Sequence, residues 1–191
     1  MKVCVCGGTN PATNPRWLAF AGHLGDLLCK YDYEMVWGGN AFGVLSHIHK
    51  EFIVRQKPNS LVMPRAYESD LLTMQTDKVV TTELVVERTH KMFMMTNVVV
   101  VVPGGIGTIY EFWTAVEGKR AGEYDIDIIL LNYNGFFNKQ LEYFEFINEN
   151  GFTKIGKGGA PYKIKPTELF KVVETPEQII AELAKIKKKR G

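Results

Sequence analysis

Nine consecutive residues, Pro103-Gly104-Gly105-Ile106-Gly107-Thr108-Ile109-Tyr110-Glu111, combine the residue types that bind anions with one carboxylate. Glycine permits positive φ and lets backbone N–H groups approach an anion closely. A helix opening at about Gly107 adds unpaired N–H donors and a partial positive charge. Thr108 supplies a hydroxyl at the helix start, and Glu111, three residues on, shares its face. A carboxylate one turn from a phosphate nest would stand near the sugar of a nucleotide. From spacing alone, a first-turn acid favoured by the helix dipole accounts for Glu111 equally well.

Two further glycine turns follow apolar runs: Gly7-Gly8-Thr9 and Gly38-Gly39-Asn40. In an open parallel sheet, ligands bind beyond the carboxyl ends of the strands. Three such turns along one edge would make a groove suited to a phosphorylated ligand, although a single Gly-Gly serves a plain tight turn as readily.

The elements that must position these turns read as α/β. Short β-rich runs alternate with helical patterns, which predicts a Rossmann-like, doubly wound, mainly parallel sheet with helices on both faces. Residues 1–191 read as a single nucleotide-binding domain. Strands are predicted at Lys2–Cys6, Glu34–Trp37, Ser60–Met63, Lys78–Thr82, Val98–Val102, Asp127–Leu131 and Phe170–Val173. Five consecutive valines without polar alternation indicate burial on both faces, as at the centre of a parallel sheet. Asn14-Pro15 reads as a helix start, with Trp17, Ala21, Leu24 and Leu28 at helical spacing and facing the sheet. Further helices are expected at Gly43–Gln56, Leu84–Met95, Gly107–Lys119 and Asn138–Asn148. A last one opens on the capping-box pattern Thr175-Pro176-Glu177-Gln178. The aromatic group Phe136, Phe137, Tyr143, Phe144 and Phe146 is assigned to core or oligomer packing. Gly156–Pro166, rich in Gly and Lys, reads as a loop.

Composition narrows the classes. The 191 residues are 46% hydrophobic and 23% charged with a net charge of +2, which gives no reason to expect a nucleic-acid partner. The C-terminal run of Lys185, Lys187, Lys188, Lys189 and Arg190 reads as a solvated helix end. Val98–Val102, the longest apolar run, is far short of the roughly 20 residues of a membrane helix, so no membrane partner is expected. Cys4, Cys6 and Cys29 lack zinc-like spacing, and His23, His47, His49 and His90 are scattered, so no metal is expected. Cys4 and Cys6 on a strand suit buried thiols in a reducing compartment, and the cytoplasm is the expected location.

The nine-residue run resembles the P-G-G-x-G-T-x-x-E signature of the LOG family, the cytokinin-activating phosphoribohydrolases often mislabelled as lysine decarboxylases. The resemblance extends from Val5-Cys6-Gly7-Gly8 through Gly38-Gly39 and Gly43 to the final strand and helix. Glu87-Arg88 matches the family's Glu-Arg-Lys helix, and Met92 falls where the family has a methionine. Thr89 replaces the family's lysine, Asn40 the third glycine of its G-G-G turn, and Ser46 the last glycine of its G-L-M-G. Asn40 tolerates a left-handed conformation better than most residues.

The resemblance implies cleavage of the N-glycosidic bond of a nucleoside 5′-monophosphate to free base and ribose 5-phosphate, with no metal and no organic cofactor. It implies Glu111 and Arg88 as catalytic residues. It also implies a substrate and phosphate site made of Gly7, Gly8, Thr9, Gly38, Gly39, Asn40, Met92, Gly104, Gly105, Gly107 and Thr108. A homodimer or higher homo-oligomer is implied as well. Lysine decarboxylation normally needs pyridoxal phosphate and a Schiff-base lysine, and no sequence feature singles out such a lysine. A nucleotide-binding sensor or carrier without turnover is the alternative, because fold alone does not fix function.

Overall fold

The computed structural model describes residues 1–40, 42–152 and 166–191, the side chains of 70–73 and 166–167 excepted. The elements run β1 (Lys2–Cys6), α1 (Ala21–Lys30), β2 (Glu34–Trp37), α2 (Gly43–Val54), β3 (Asn59–Pro64), β4 (Lys78–Thr82), α3 (Val85–Met94) and β5 (Val98–Val101). They continue with α4 (Ile106–Ala121), β6 (Asp127–Leu131), α5 (Asn138–Glu149), α6 (Pro166–Leu169), β7 (Lys171–Val173) and α7 (Pro176–Arg190). All seven strands lie in one sheet, in the order β4-β3-β2-β1-β5-β6-β7, and every pairing is parallel.

Alternation of side chains along each strand divides the core in two. Val3, Val5, Val98 and Val100 point to the face covered by Leu24 and Leu28 of α1, Ile48 and Phe52 of α2, and Ile179 and Leu183 of α7. Cys4, Cys6, Val99 and Val101 point to the face covered by Phe93 of α3, Phe112 of α4, Phe144 of α5 and Leu169 of α6. The valines of β5 are fully buried, as a doubly covered central strand requires. The doubly wound parallel architecture expected from the sequence is therefore the one observed.

The chain winds outward from β1 through β2 and β3 to β4, then returns through α3 to the other flank of β1 as β5. That reversal opens a crevice above the carboxyl ends of β1 and β5, where an open α/β sheet takes its ligands. The main departure from the sequence reading concerns the first helix. Asn14 does cap a turn, accepting a hydrogen bond from Arg16 N, but the turn is an isolated 3-10 segment, Pro15–Trp17, and α1 starts only at Ala21. Another 3-10 segment, Arg65–Thr73, joins β3 to β4 and was not foreseen. Most of the Gly156–Pro166 loop expected from the sequence lies outside the described residues.

Candidate functional site

The turns after β1 and β5 are laced together by backbone bonds. Val102 N donates to Cys6 O at 2.9 Å, Gly8 N to Pro103 O at 3.0 Å, and Leu45 N of α2 to Gly8 O at 3.1 Å. The packing explains two of the glycines. A Cβ on Gly104 would lie 2.1 Å from Thr108 Oγ1 and 2.5 Å from Gly8 N. A Cβ on Gly43, at φ +69°, would lie 2.6 Å from Gly8 O. Around Gly105 and Gly107, in contrast, an added Cβ would meet nothing within 4 Å. Gly105 caps α4 without a side-chain hydrogen bond, so the first-turn amides of a 16-residue helix face that open space. Amides in this arrangement can hold a phosphate or carboxylate.

Glu111, on the second turn of α4, points to the cleft floor with its side chain 8% exposed. Arg88 of α3 donates from Nη2 to Glu111 Oε1 at 2.7 Å, its own side chain 17% exposed. The guanidinium lies against Gly38, whose added Cβ would sit 3.3 Å from Arg88 Nη1, so a side chain there would press on the arginine. Burial pushes the Glu111 carboxyl above its usual range, while the Arg88 charge and a bond to the Cys6 thiol pull it back. Arg88 Nε is buried and finds no acceptor among the described residues. The pair thus offers a desolvated carboxylate together with a cation that retains donor capacity.

A single cleft of about 540 Å³ contains both features. Gly7, Gly8, Thr9, Gly38, Gly39, Arg88, Gly104, Gly105, Gly107, Thr108 and Glu111 all line it, so eleven of the sequence-derived site residues converge. Two do not. Met92 is fully buried among the core residues beneath α3, because its place on the helix faces the sheet. Asn40 has the left-handed φ expected of it, +102°, but lines a smaller neighbouring cavity with His47, His49 and Lys50.

The departures from the family pattern are absorbed locally. Thr89 is buried and donates to Val85 O, and Ser46 donates to Gly43 O, each within its own helix. Glu87 accepts from the amides of Glu83 and Leu84 and so caps α3. The histidines are engaged elsewhere: His23 with Glu177, His47 with Gly43 O, His49 with Asn59, His90 with Tyr124.

Trp17 and Phe136 also line the cleft. The sequence reading placed Trp17 on the sheet face of a helix and Phe136 in core or oligomer packing. The break before α1 turns Trp17 to the cleft, and Phe136 precedes α5 instead of lying on it. Each follows a turn signal in the segment after a strand, Asn14-Pro15 after β1 and Asn134-Gly135 after β6, which is the cue that could have found them.

Known proteins share the sequence pattern and the fold of this chain. The model of the family described as "Possible lysine decarboxylase" matches residues 37–183. A protein of Oryza sativa subsp. japonica, described as a probable cytokinin riboside 5′-monophosphate phosphoribohydrolase, is 28% identical over 153 residues, covering 78% of this chain and 66% of its own length. A cytokinin riboside 5′-monophosphate phosphoribohydrolase of Arabidopsis thaliana is 23% identical over 176 residues, 92% of this chain and 78% of its own. Among solved structures, the Moco carrier protein from Chlamydomonas reinhardtii superposes with a TM-score of 0.70 at 20% identity, covering 98% of each chain, which shows a shared fold. With three quarters of its length under that family model and the signature Pro103–Glu111 at the cleft, the chain belongs to the LOG family.

Proposed function

We propose that the protein is a nucleoside 5′-monophosphate phosphoribohydrolase, acting on a cytokinin riboside monophosphate or AMP. The supporting observation is the placement of a buried Arg88–Glu111 pair in the same cleft as an open helix N-terminus rimmed by glycine. In this reading the amides of Gly105, Gly107 and Thr108 hold the 5′-phosphate. The bond from ribose C1′ to the base nitrogen breaks with its electron pair leaving on the base. Water oxygen bonds to C1′, one water proton ends on the base, and ribose 5-phosphate is released. Positive charge develops on the ribose as the bond breaks, and the Glu111 carboxylate stabilises it or orients the water. Arg88 keeps that carboxylate ionised and supplies donors to the ligand. Incubation with AMP, GMP, CMP, UMP and a cytokinin nucleotide, followed by chromatography of free base, tests the reading; no base from any of them overturns it.

One observation favours a second reading, a carrier that binds nucleotide without turnover. Glu111 is already committed to Arg88, and the position of the family's lysine holds a threonine whose hydroxyl is spent inside its helix. Tight AMP binding with no base released would select it.

The proposal includes a homodimer. Val86 and Met94 of α3 and Ile106 and Tyr110 of α4 stand exposed, Met94 by 62% and Ile106, at the cleft, by 92%. It also includes a reducing location, the cytoplasm, consistent with three buried free thiols.

A further inference from the structure

We infer that Trp17 and Phe136 form the base-binding wall of the cleft and select a purine ring; the inference rests on the nucleotide reading above and assigns the half of the ligand that the glycine turns do not explain. Sheet order carries the first part of the argument. β5 lies between β1 and β6. Trp17 belongs to the segment that follows β1 and Phe136 to the segment that follows β6, yet the two rings meet, centroids 4.9 Å apart and nearly perpendicular at 78°. They therefore close over the end of β5, whose own turn carries the amides proposed for the phosphate. A ligand gripped there by its phosphate would extend from those amides along the aromatic pair.

The second part concerns what the rings are free to do. Of the three tryptophans, Trp37 is fully buried and stacked on His49, and Trp113 donates its indole N–H to Gln140. Trp17 is partly covered and is the one of the three that lines the cleft. Phe136 against one part of the indole and the Arg16 guanidinium, 4.1 Å from its centroid, hold the ring in place before any ligand arrives. A preorganised aromatic surface binds flat rings with little ordering cost.

The neighbouring polar groups suit a heterocycle with acceptor nitrogens. Asn10 Oδ1 accepts from Ala12 N and Asn14 Oδ1 from Arg16 N, which leaves both side-chain NH₂ groups as donors at the cleft rim. Stacking grows with ring area, so a purine gains more from this wall than a pyrimidine.

The test is calorimetric titration of the full chain with AMP, CMP and ribose 5-phosphate, on a Glu111→Gln background that leaves AMP uncleaved under the proposed function. AMP should bind at least about tenfold tighter than ribose 5-phosphate, with CMP between them. Trp17→Ala should bring AMP to within about threefold of ribose 5-phosphate and leave ribose 5-phosphate itself unchanged, while Trp17→Phe keeps most of the preference. A folded Trp17→Ala protein that retains the AMP preference overturns the inference and leaves the phosphate site standing. Should Trp17→Ala fail to fold, Phe136→Ala and indole fluorescence decide: AMP must quench the Trp17 emission and ribose 5-phosphate must not. If ribose 5-phosphate does not bind even the unaltered protein, the nucleotide reading fails and this inference falls with it.

Discussion

Glu111 illustrates how much depends on the surroundings of one side chain. A solvated helix-dipole acid would belong in the first turn of α4, whereas Glu111 stands on the second, its carboxyl buried, facing Arg88 and lying against Cys6. Under the proposed chemistry, Glu111→Gln should lower base release about a hundredfold or more, measured by chromatography, with AMP affinity retained. Burial raises this carboxyl, so activity should fall on the acid side at a pH above that of an ordinary glutamate. Arg88→Gln removes the charge that holds the carboxyl down and should move that limb further upward; a pH–rate profile reads both shifts. The sign for stability runs the other way. The folded state holds this proton more tightly than the unfolded chain, so the contribution is present at low pH and is lost as pH rises from the ordinary glutamate value through the raised one. Gly104 supplies a purely steric counterpart. Gly104→Ala would drive a methyl into Thr108 Oγ1 and Gly8 N, so the melting-temperature rise on adding AMP should disappear.

At the scale of elements, the starts of α7 and α4 treat the unpaired first-turn amides differently. In α7 the protein caps itself: Thr175 accepts from Gln178 N, and the Gln178 side chain returns to Thr175 N. Thr175→Ala should cost about 1 kcal/mol, read as a lower urea midpoint at unchanged slope. In α4 no side chain performs that service, and the amides face the cleft. A missing cap is not by itself distinctive, since α1, α2 and α5 also start without a side-chain cap; what marks α4 is the open space around Gly105 and Gly107 at the cleft. The short 3-10 segment Pro15–Trp17 matters for the same reason, because interrupting the first helix converts an aromatic side chain from a packing element into a cleft wall.

For the molecule as a whole, the parallel sheet covered on both faces sets the position of the crevice, and exposed apolar side chains on α3 and α4 bear on the proposed assembly. Val86, Met94 and Ile106 are apolar and exposed, and the proposed homodimer would cover them. Under the proposed homodimer, light scattering after size exclusion should return twice the chain mass of 21.6 kDa. Met94→Glu should shift the protein toward monomer while leaving its circular dichroism unchanged. A monomer in the unaltered protein would remove the dimer proposal without touching the fold.

Periodicity in the sequence determined the strands and most helices, because burial on a sheet imposes patterns of two and 3.6 residues that Val98–Val102 and Ile179–Ile186 display openly. The glycine turns were legible for a similar reason: close backbone approach admits almost nothing else, as Gly104 and Gly43 show. The sequence could not indicate which side chains meet across separate strands. Arg88 and Glu111 are 23 residues apart, and Trp17 and Phe136 are 119 apart, so no local pattern links either pair. Met92 shares the helix of Arg88 yet faces the core, since a helix turns neighbouring residues to different sides. Local chemistry thus set the turns and the elements, whereas the order of strands in the sheet decided which side chains share one cleft.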